Sequence, residues 1–226
     1  MMPSNTPTEE PTSTPAPTST PIPSTPTIEP PPLVLEYLDG VELIYVDKFD
    51  TFENWAVWNS QTADWADGVL EIVGQRDWTG ALVQYQNLYE GMGVVIEFKQ
   101  TSGFEYEFVT NAGEWDTDSF RSFGVYGGDS PKADLWQGKN ALGGNYLLGN
   151  LSLKNDNWYS IMIAIDDDGE FFAVVWDLND TTRRATYHER IGENWAGQTW
   201  KFLLQTNMGT TINIDNFSIF SFDAVK

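Results

Sequence analysis

Four of the ten tryptophans stand in polar, loop-like surroundings: Trp78 in QRDWTG, Trp115 in GEWDTD, Trp136 in ADLWQG and Trp195 in GENWAG. An indole face stacks on the apolar face of a pyranose while neighbouring Asp, Asn and Arg groups bond its hydroxyls. A Trp in an exposed loop is hard to explain without a ligand. The chemistry suggested is sugar binding. Trp115 and Trp136 are the expected platforms, assisted by Asp116, Arg121 and Asp134, with Trp78 and Trp195 as further contacts. Core packing is the competing explanation. It is preferred for Trp55, Trp58, Trp158 and Trp176, which lie in or beside strongly patterned strands.

Other chemistries are excluded or weak. The chain has no cysteine, so disulfides, thiol nucleophiles and Cys-ligated zinc are absent. Its one histidine, His188, sits among polar neighbours in TYHERIG and reads as an exposed strand or loop residue. The run Asp166-Asp167-Asp168-Gly169-Glu170 resembles a calcium loop at first sight. An EF-hand aligned on Gly169 would need ligands at Ala164 and Val175, so a hairpin turn is the better reading. No phosphate loop, zinc pattern or dinucleotide fingerprint is present.

These residues belong to a chain of two unequal parts. Eleven of the twelve prolines fall in the first 32 residues, a stretch that holds no Phe, Trp, Tyr, Lys or Arg. Such a segment cannot bury enough apolar surface to offset its ordering entropy. Residues 1–38 are therefore expected to be a disordered Thr/Pro/Ser-rich linker, and 39–226 the folded domain. Proline stiffens the linker towards polyproline II, and at ~3.1 Å per residue thirty residues span about 90 Å. This is a tether suited to a cell surface. The start, MMPSNTP, lacks the regions of a signal peptide. The expectation is that a signal preceded it, and that the protein is extracellular or at a cell surface, lipid-anchored ahead of the spacer.

Net charge is −21, of which Glu9, Glu10 and Glu29 in the first 32 residues supply three, leaving −18 on the rest of the chain. Nucleic acid and anionic membrane surfaces need a cationic face and are disfavoured. No segment reaches the ~18 to 20 apolar residues of a membrane span. A neutral or cationic ligand, or bound calcium, is compatible with this acidity.

The domain reads as strands. GVVIEFKQ (93–100) alternates at period two. In WYSIMIAIDDDGEFFAVVWDL (158–178), Tyr159, Ile161, Ile163 and Ile165 share a face. Gly169 turns the chain, and Phe171, Ala173 and Val175 return opposite Phe172, Val174 and Trp176. In TTINIDNFSIFSF (210–222) the apolar phase changes, which predicts a bulge near Asp215-Asn216. About eleven to thirteen short strands without a helical period predict an all-β antiparallel sandwich.

The order of these features, DKFDTFENWAVW (47–58), ADGVLEIVG (66–74), the hairpin 157–177 and INIDNFSIF (212–220), resembles the concanavalin A-like lectin/glucanase jelly roll. That set includes laminin-G-like domains and the bacterial 3-keto-disaccharide hydrolase family. The resemblance spans roughly 40–222, and its motifs mark strands and turns rather than chemistry. It implies three functions. The first is a non-catalytic carbohydrate-binding or adhesion module, a monomer whose partner is an oligo- or polysaccharide. The second is a glycoside-processing enzyme of the 3-keto-disaccharide hydrolase or family 16 glucanase kind. The third is a protein-binding surface module. Glucanases of this fold carry Glu-x-Asp-x-Glu on one strand. Here Glu114, Asp116 and Asp118 keep the spacing, but the last is a shortened Asp and the triplet follows Ala112-Gly113 in a loop. Many domains of this fold bind calcium, and Asp47, Asp50, Glu53 and Asp215 are the candidate ligands if the first and last strands are neighbours.

Overall fold

A computed structural model describes residues 29–51, 55–58, 63–66, 68–74, 79–83, 92–103, 105–114, 117–128, 130–138, 140–147, 151–191, 195 and 198–226. It opens with a short helix α1 (Pro32–Tyr37), then β1 (Leu38–Asp39), β2 (Glu42–Asp47), β3 (Trp55–Trp58), β4 (Ala63–Ala66) and β5 (Val69–Val73). Next come β6 (Thr79–Val83), β7 (Met92–Ser102), β8 (Tyr106–Ala112), β9 (Arg121–Tyr126), β10 (Lys132–Gln137) and β11 (Asn140–Leu147). The chain ends with β12 (Tyr159–Ile165), β13 (Glu170–Asp177), β14 (Arg184–Arg190), β15 (Lys201–Thr206), β16 (Thr211–Ser221) and β17 (Ala224–Val225).

Two antiparallel sheets form the sandwich. One runs β11-β10-β9-β8-β15-β6-β3 and the other β14-β13-β12-β7-β16-β5-β4, with β2 also pairing β16. The predicted alternation decides which side chains enter the core. Ile161, Ile163 and Ile165 of β12 and Phe171, Ala173 and Val175 of β13 pack against Phe108, Phe123, Leu135 and Phe202 of the facing sheet. The gap between Gly93, Thr110, Phe123, Ile165 and Trp200 is too small to admit a water molecule. No ligand cavity therefore opens between the sheets there.

The predicted local features are present. Gly169 takes φ 76° at the β12–β13 turn, where Asp166 Oδ1 accepts the N–H groups of Asp168 and Glu170 at 3.0 and 2.9 Å. The register of β16 slips between Asp215 and Ser218, and Asn216 takes φ 46°, which is the expected bulge. His188 lies exposed on β14, 2.9 Å from Glu170.

The domain boundary needs correction. Met162, Ala164, Phe172, Val174 and Trp176 point away from the main core and form a second one with Val95 and Phe220. Its cover is the segment expected to be linker: Leu33, Val34 and Leu38 are buried on it, and Tyr37 lies 4.8 Å from Phe172. Glu36 accepts two hydrogen bonds from Arg184, at 2.8 and 2.6 Å, and the Arg184 guanidinium sits 5.4 Å from the Tyr37 ring. β1 pairs with β17, so both ends of the sandwich meet on this outer face. The folded unit begins near residue 31, because an apolar outer sheet face demands a cover. Residues 1–28 of the expected linker lie outside the described residues.

Truncation separates the two parts. A chain starting at residue 29 should melt where the full chain does. A chain starting at 39 loses three buried apolar side chains, each worth ~1.5–3 kcal/mol. At ~2–4 °C per kcal/mol its melting temperature should fall by on the order of 10 °C. Equal melting of the two truncations would show that the helix is not a cover.

Candidate functional site

The alternation that fills the core also decides what the seven-stranded sheet shows on its other side. In β8, Tyr106, Phe108 and Ala112 face inward, which places Glu107, Val109 and Asn111 outward. In β9, Phe123 and Val125 face inward, and Ser122, Gly124 and Tyr126 outward. In β10, Ala133 and Leu135 face inward, and Lys132, Asp134 and Trp136 outward. Registers align these residues in rows. One row is Gln205, Glu107, Tyr126 and Lys132, and the next is Leu203, Val109, Gly124 and Asp134.

Glu107 and Val109 are buried although they lie outside the core, while Tyr126, Asp134, Trp136 and Gln205 around them are half-buried. Their neighbours therefore cover the middle of this face. Gly124 separates Glu107 from Asp134 and places no side chain between them. A Cβ there would meet the Phe108 carbonyl oxygen at 2.3 Å. Across this gap the Glu107 carboxyl is in hydrogen-bond reach of Asp134. Gln205 Nε2 donates to Glu107 Oε2 at 2.5 Å, and Trp136 Nε1 donates to Asp134 Oδ2 at 2.8 Å. The indole ring is thereby fixed against the carboxylate pair.

Burial pushes Glu107 up to about 8. The charge of Asp134 and the hydrogen bond between the two carboxyls act in the same direction, and the Gln205 amide opposes them. Asp134 accepts the indole N–H. Desolvation also raises the Tyr126 hydroxyl, reinforced by Glu105, Glu107 and Asp134. The face thus combines a ring, an amide, a phenol and two neighbouring carboxyls.

Of the expected sugar contacts, Trp136 and Asp134 are brought together here. Trp78, Trp115 and Asp116 lie outside the described residues. Arg121 sits apart: its Nη1 donates to the carbonyls of Asp118 and Phe120 at 2.7 and 2.8 Å, bracing the turn between β8 and β9. Trp195 is a correction. It is fully buried, stacked on Trp200 at 5.9 Å with the Arg121 guanidinium 6.0 Å from its ring, so it offers no face to a ligand. Its polar sequence neighbours suggested a loop surface, but aromatic packing with Phe123 and Trp200 holds it inside. Trp158, expected in the core, is half-buried with Lys99 Nζ 5.1 Å from its ring. Glu114 and Asp118 are exposed in the β8–β9 turn rather than on a strand. Sequence reasoning missed Glu107, Tyr126 and Gln205. The alternation of FEYEFVTN carried a signal for the first, since Glu107 falls on the polar phase of that strand.

β2 and β16 are neighbours, as the calcium expectation required, and Asp50 lies near enough to Asp215 to help raise its carboxyl, after burial as the main cause. Asp47 is buried and accepts hydrogen bonds from Tyr45 Oη at 2.9 Å, Phe49 N at 2.7 Å and Trp55 Nε1 at 2.9 Å. Those bonds hold Phe49 at φ 54° and position Trp55, so Asp47 is a structural anchor and not a free ligand. Asp50 is exposed, and Asp215 accepts the Asn216 N–H at 2.7 Å. Glu53 lies outside the described residues. Among the described residues no group of three acidic or His side chains is arranged to hold a metal ion.

No protein-family model matches the chain, and no curated protein does. Solved structures do. A Lotus tetragonolobus seed lectin aligns with a TM-score of 0.57 at 11% identity, over 80% of this chain and 98% of that one. The CBM2 module of the evolved Dit of Lactobacillus casei BL23 phage J-1 aligns at 0.56 and 10%, over 83% and 98%. The VIP36 exoplasmic/lumenal domain, in a Ca2+/Man3GlcNAc-bound form, aligns at 0.54 and 10%, over 79% and 88%. At such identities the likeness is one of fold. The chain has the concanavalin A-like jelly roll that its strand order resembled.

Two measurements check this geometry. Glu107 holds its proton in the folded state at pH values where an unfolded Glu has lost it. Its contribution to stability is therefore complete below the ordinary Glu range and fades as pH rises to about 8. Glu107→Gln mimics the protonated form. Its melting temperature relative to wild type should climb between pH 5 and about pH 8. A constant difference across that interval would mean that Glu107 is not held protonated. Asp47→Ala strands three donors and should cost about 2–4 kcal/mol, at ~1 kcal/mol or more for each. The loss should be equal in EDTA and in calcium, and a loss seen only with calcium would restore Asp47 as a ligand.

Proposed function

We propose that this protein is a carbohydrate-binding module and that sugars bind on the outer face of the seven-stranded sheet. The observation that carries the reading is the convergence of Trp136 with Asp134, Glu107 and Gln205 on one face. A ring fixed beside carboxyl and amide groups suits a pyranose, which has an apolar face and a hydroxyl edge. The fold supports it: neighbours include winged bean and Bauhinia lectins in complexes with Tn-antigen and GalNAc. An apolar patch for a protein partner is a poorer match, because polar groups occupy the centre of the face.

The module is non-catalytic in this reading. Retaining glycosidases hold their two carboxyls ~5 to 5.5 Å apart, and inverting enzymes ~6.5 to 9.5 Å, so that a sugar carbon or a water fits between them. Glu107 and Asp134 are in direct hydrogen-bond reach and leave no such space. The exposed Glu114 and Asp118 have no sheet face on which to converge.

The setting is an extracellular or cell-surface one. The expected Thr/Pro tether ahead of the cover helix suits such a setting. No helix among the described residues is long and apolar enough to cross a membrane.

The test is a glycan array with and without EDTA, followed by titration of Trp136→Ala against the best ligand. Loss of a stacking ring should weaken binding by ~1–3 kcal/mol, taking aromatic stacking on a base as the guide. The half-buried position predicts only a small fall in melting temperature. Unchanged affinity in Trp136→Ala would remove this face as the site.

A further inference from the structure

We propose that the outer face of the eight-stranded sheet carries a second platform for neutral oligosaccharides, formed by Trp158, Lys99, Asn213 and Glu71, so that one chain holds two glycan strands. The platform stands on its own residues, and only the count of two rests on the sugar-face reading above. Phe98 of β7, Ile212 and Ile214 of β16, and Leu70 and Ile72 of β5 point into the core. Alternation therefore turns Lys99, Asn213 and Glu71 outward. Trp158, just before the inward Tyr159, joins them from the start of β12, with Lys99 Nζ 5.1 Å from its ring. Register sets Lys99 beside Asn213, and Asn213 beside Glu71. The strands β12, β7, β16 and β5 are consecutive in the sheet, so the row is about 14 Å long.

The helix α1 covers a different part of this face, over Phe172, Val174 and Trp176. Each member of the row is half-buried. Their polar groups are unspent among the described residues. The Trp158 indole N–H meets no protein acceptor and is not shut from solvent, and Lys99 makes no ion pair. Asn213 Oδ1 is shut in without a donor, an arrangement that costs stability unless a partner offsets it. Neighbouring strands place one group every ~4.8 Å, close to the length of one pyranose in an extended chain. An oligosaccharide lying across the strands meets a ring at one end and then an ammonium, an amide and a carboxylate. The Lys99 head is a flexible point charge that can leave the indole face for a sugar hydroxyl, freeing the ring to stack. Glu97, held by Asn216 Nδ2 at 2.7 Å, and Asp215 border Lys99, so an anionic sugar is repelled. Neutral hydroxyls find both donors and acceptors.

The full chain is titrated by calorimetry with cellohexaose, xylohexaose, laminarihexaose and mannohexaose, and with hexagalacturonate as the acidic probe. Its mass is followed by light scattering and its melting for every variant. The best neutral probe should bind at two sites per chain, and hexagalacturonate at none. Trp158→Ala should remove one site, with a ten-fold or greater loss of affinity there. Trp136→Ala should remove the other, and the double variant both. Lys99→Ala and Asn213→Ala keep the indole, should weaken the same site several-fold, and serve if Trp158→Ala does not fold. A merely structural role for Trp158 would lower melting and leave the stoichiometry at its wild-type value. Binding that survives Trp136→Ala and is lost in Trp158→Ala keeps the second platform and removes the first. Binding unchanged in Trp158→Ala, preference for hexagalacturonate, or a dimer that Trp158→Ala dissolves would overturn the second platform and leave the first standing. Failure of all four neutral probes would sink both.

Discussion

Strands β12 and β13 are buried on both faces, and much of the remaining architecture answers that constraint. Every residue of β12 and seven of the eight in β13 are buried. A sheet of this kind needs an apolar layer on each side. The seven-stranded sheet supplies one layer. The other is too small for a third sheet, so a single turn of helix and the strand after it do the work. Leu33, Val34 and Leu38 cap Phe172, Val174 and Trp176, while Arg184 on the edge strand clamps Glu36. The C-terminal strand closes the same face through β17. Both described ends of the chain therefore lie on one side, and the outer face of the seven-stranded sheet is left uncovered by them.

Two buried carboxyls show how the same group can serve opposite ends. Asp47 receives three donors and fixes a positive-φ Phe49 against Trp55, Phe202 and Phe217, with ring centroids between 5.0 and 6.5 Å. The strain of that backbone conformation, of order 1–3 kcal/mol, is offset by the aromatic cluster it completes. Glu107 receives only an amide and another carboxyl. Nothing in the packing requires an acid there. A Leu at this position would bury more cheaply on a sheet face that already holds Val109. An acid kept in such a place at a cost to stability points to use rather than to architecture.

The sequence made the strands legible wherever period-two patterning was strong. The hairpin across Gly169 and the slip at Asp215-Asn216 follow from side chains that must change face when one residue is inserted. The pair Glu107–Asp134 was not legible, because it depends on the register of three strands and on a glycine in the middle one. No local pattern encodes that meeting. The helix at 32–37 was hidden by the three prolines at its start, Pro30 to Pro32, where composition argued for linker. Its apolar residues gain their meaning only from an outer sheet face that composition does not reveal. Trp195 failed for a related reason. Polar flanking residues describe the chain around a side chain, whereas burial is decided by what the ring packs upon, here Trp200 and Phe123.

The proposed function turns on a feature that the fold alone leaves open. Lectins and glucanases share this sandwich, so architecture cannot distinguish them. The spacing of carboxyls can. A hydrolase must hold its acid and its nucleophile or base apart by the width of a reacting centre. Here Gly124 lets the two groups close on each other, and Trp136 is oriented by one of them. Closure leaves no gap of that width between the two carboxyls and sets a ring beside them. The carboxyl spacing is the physical ground on which the carbohydrate-binding proposal prefers a binding role to a hydrolytic one.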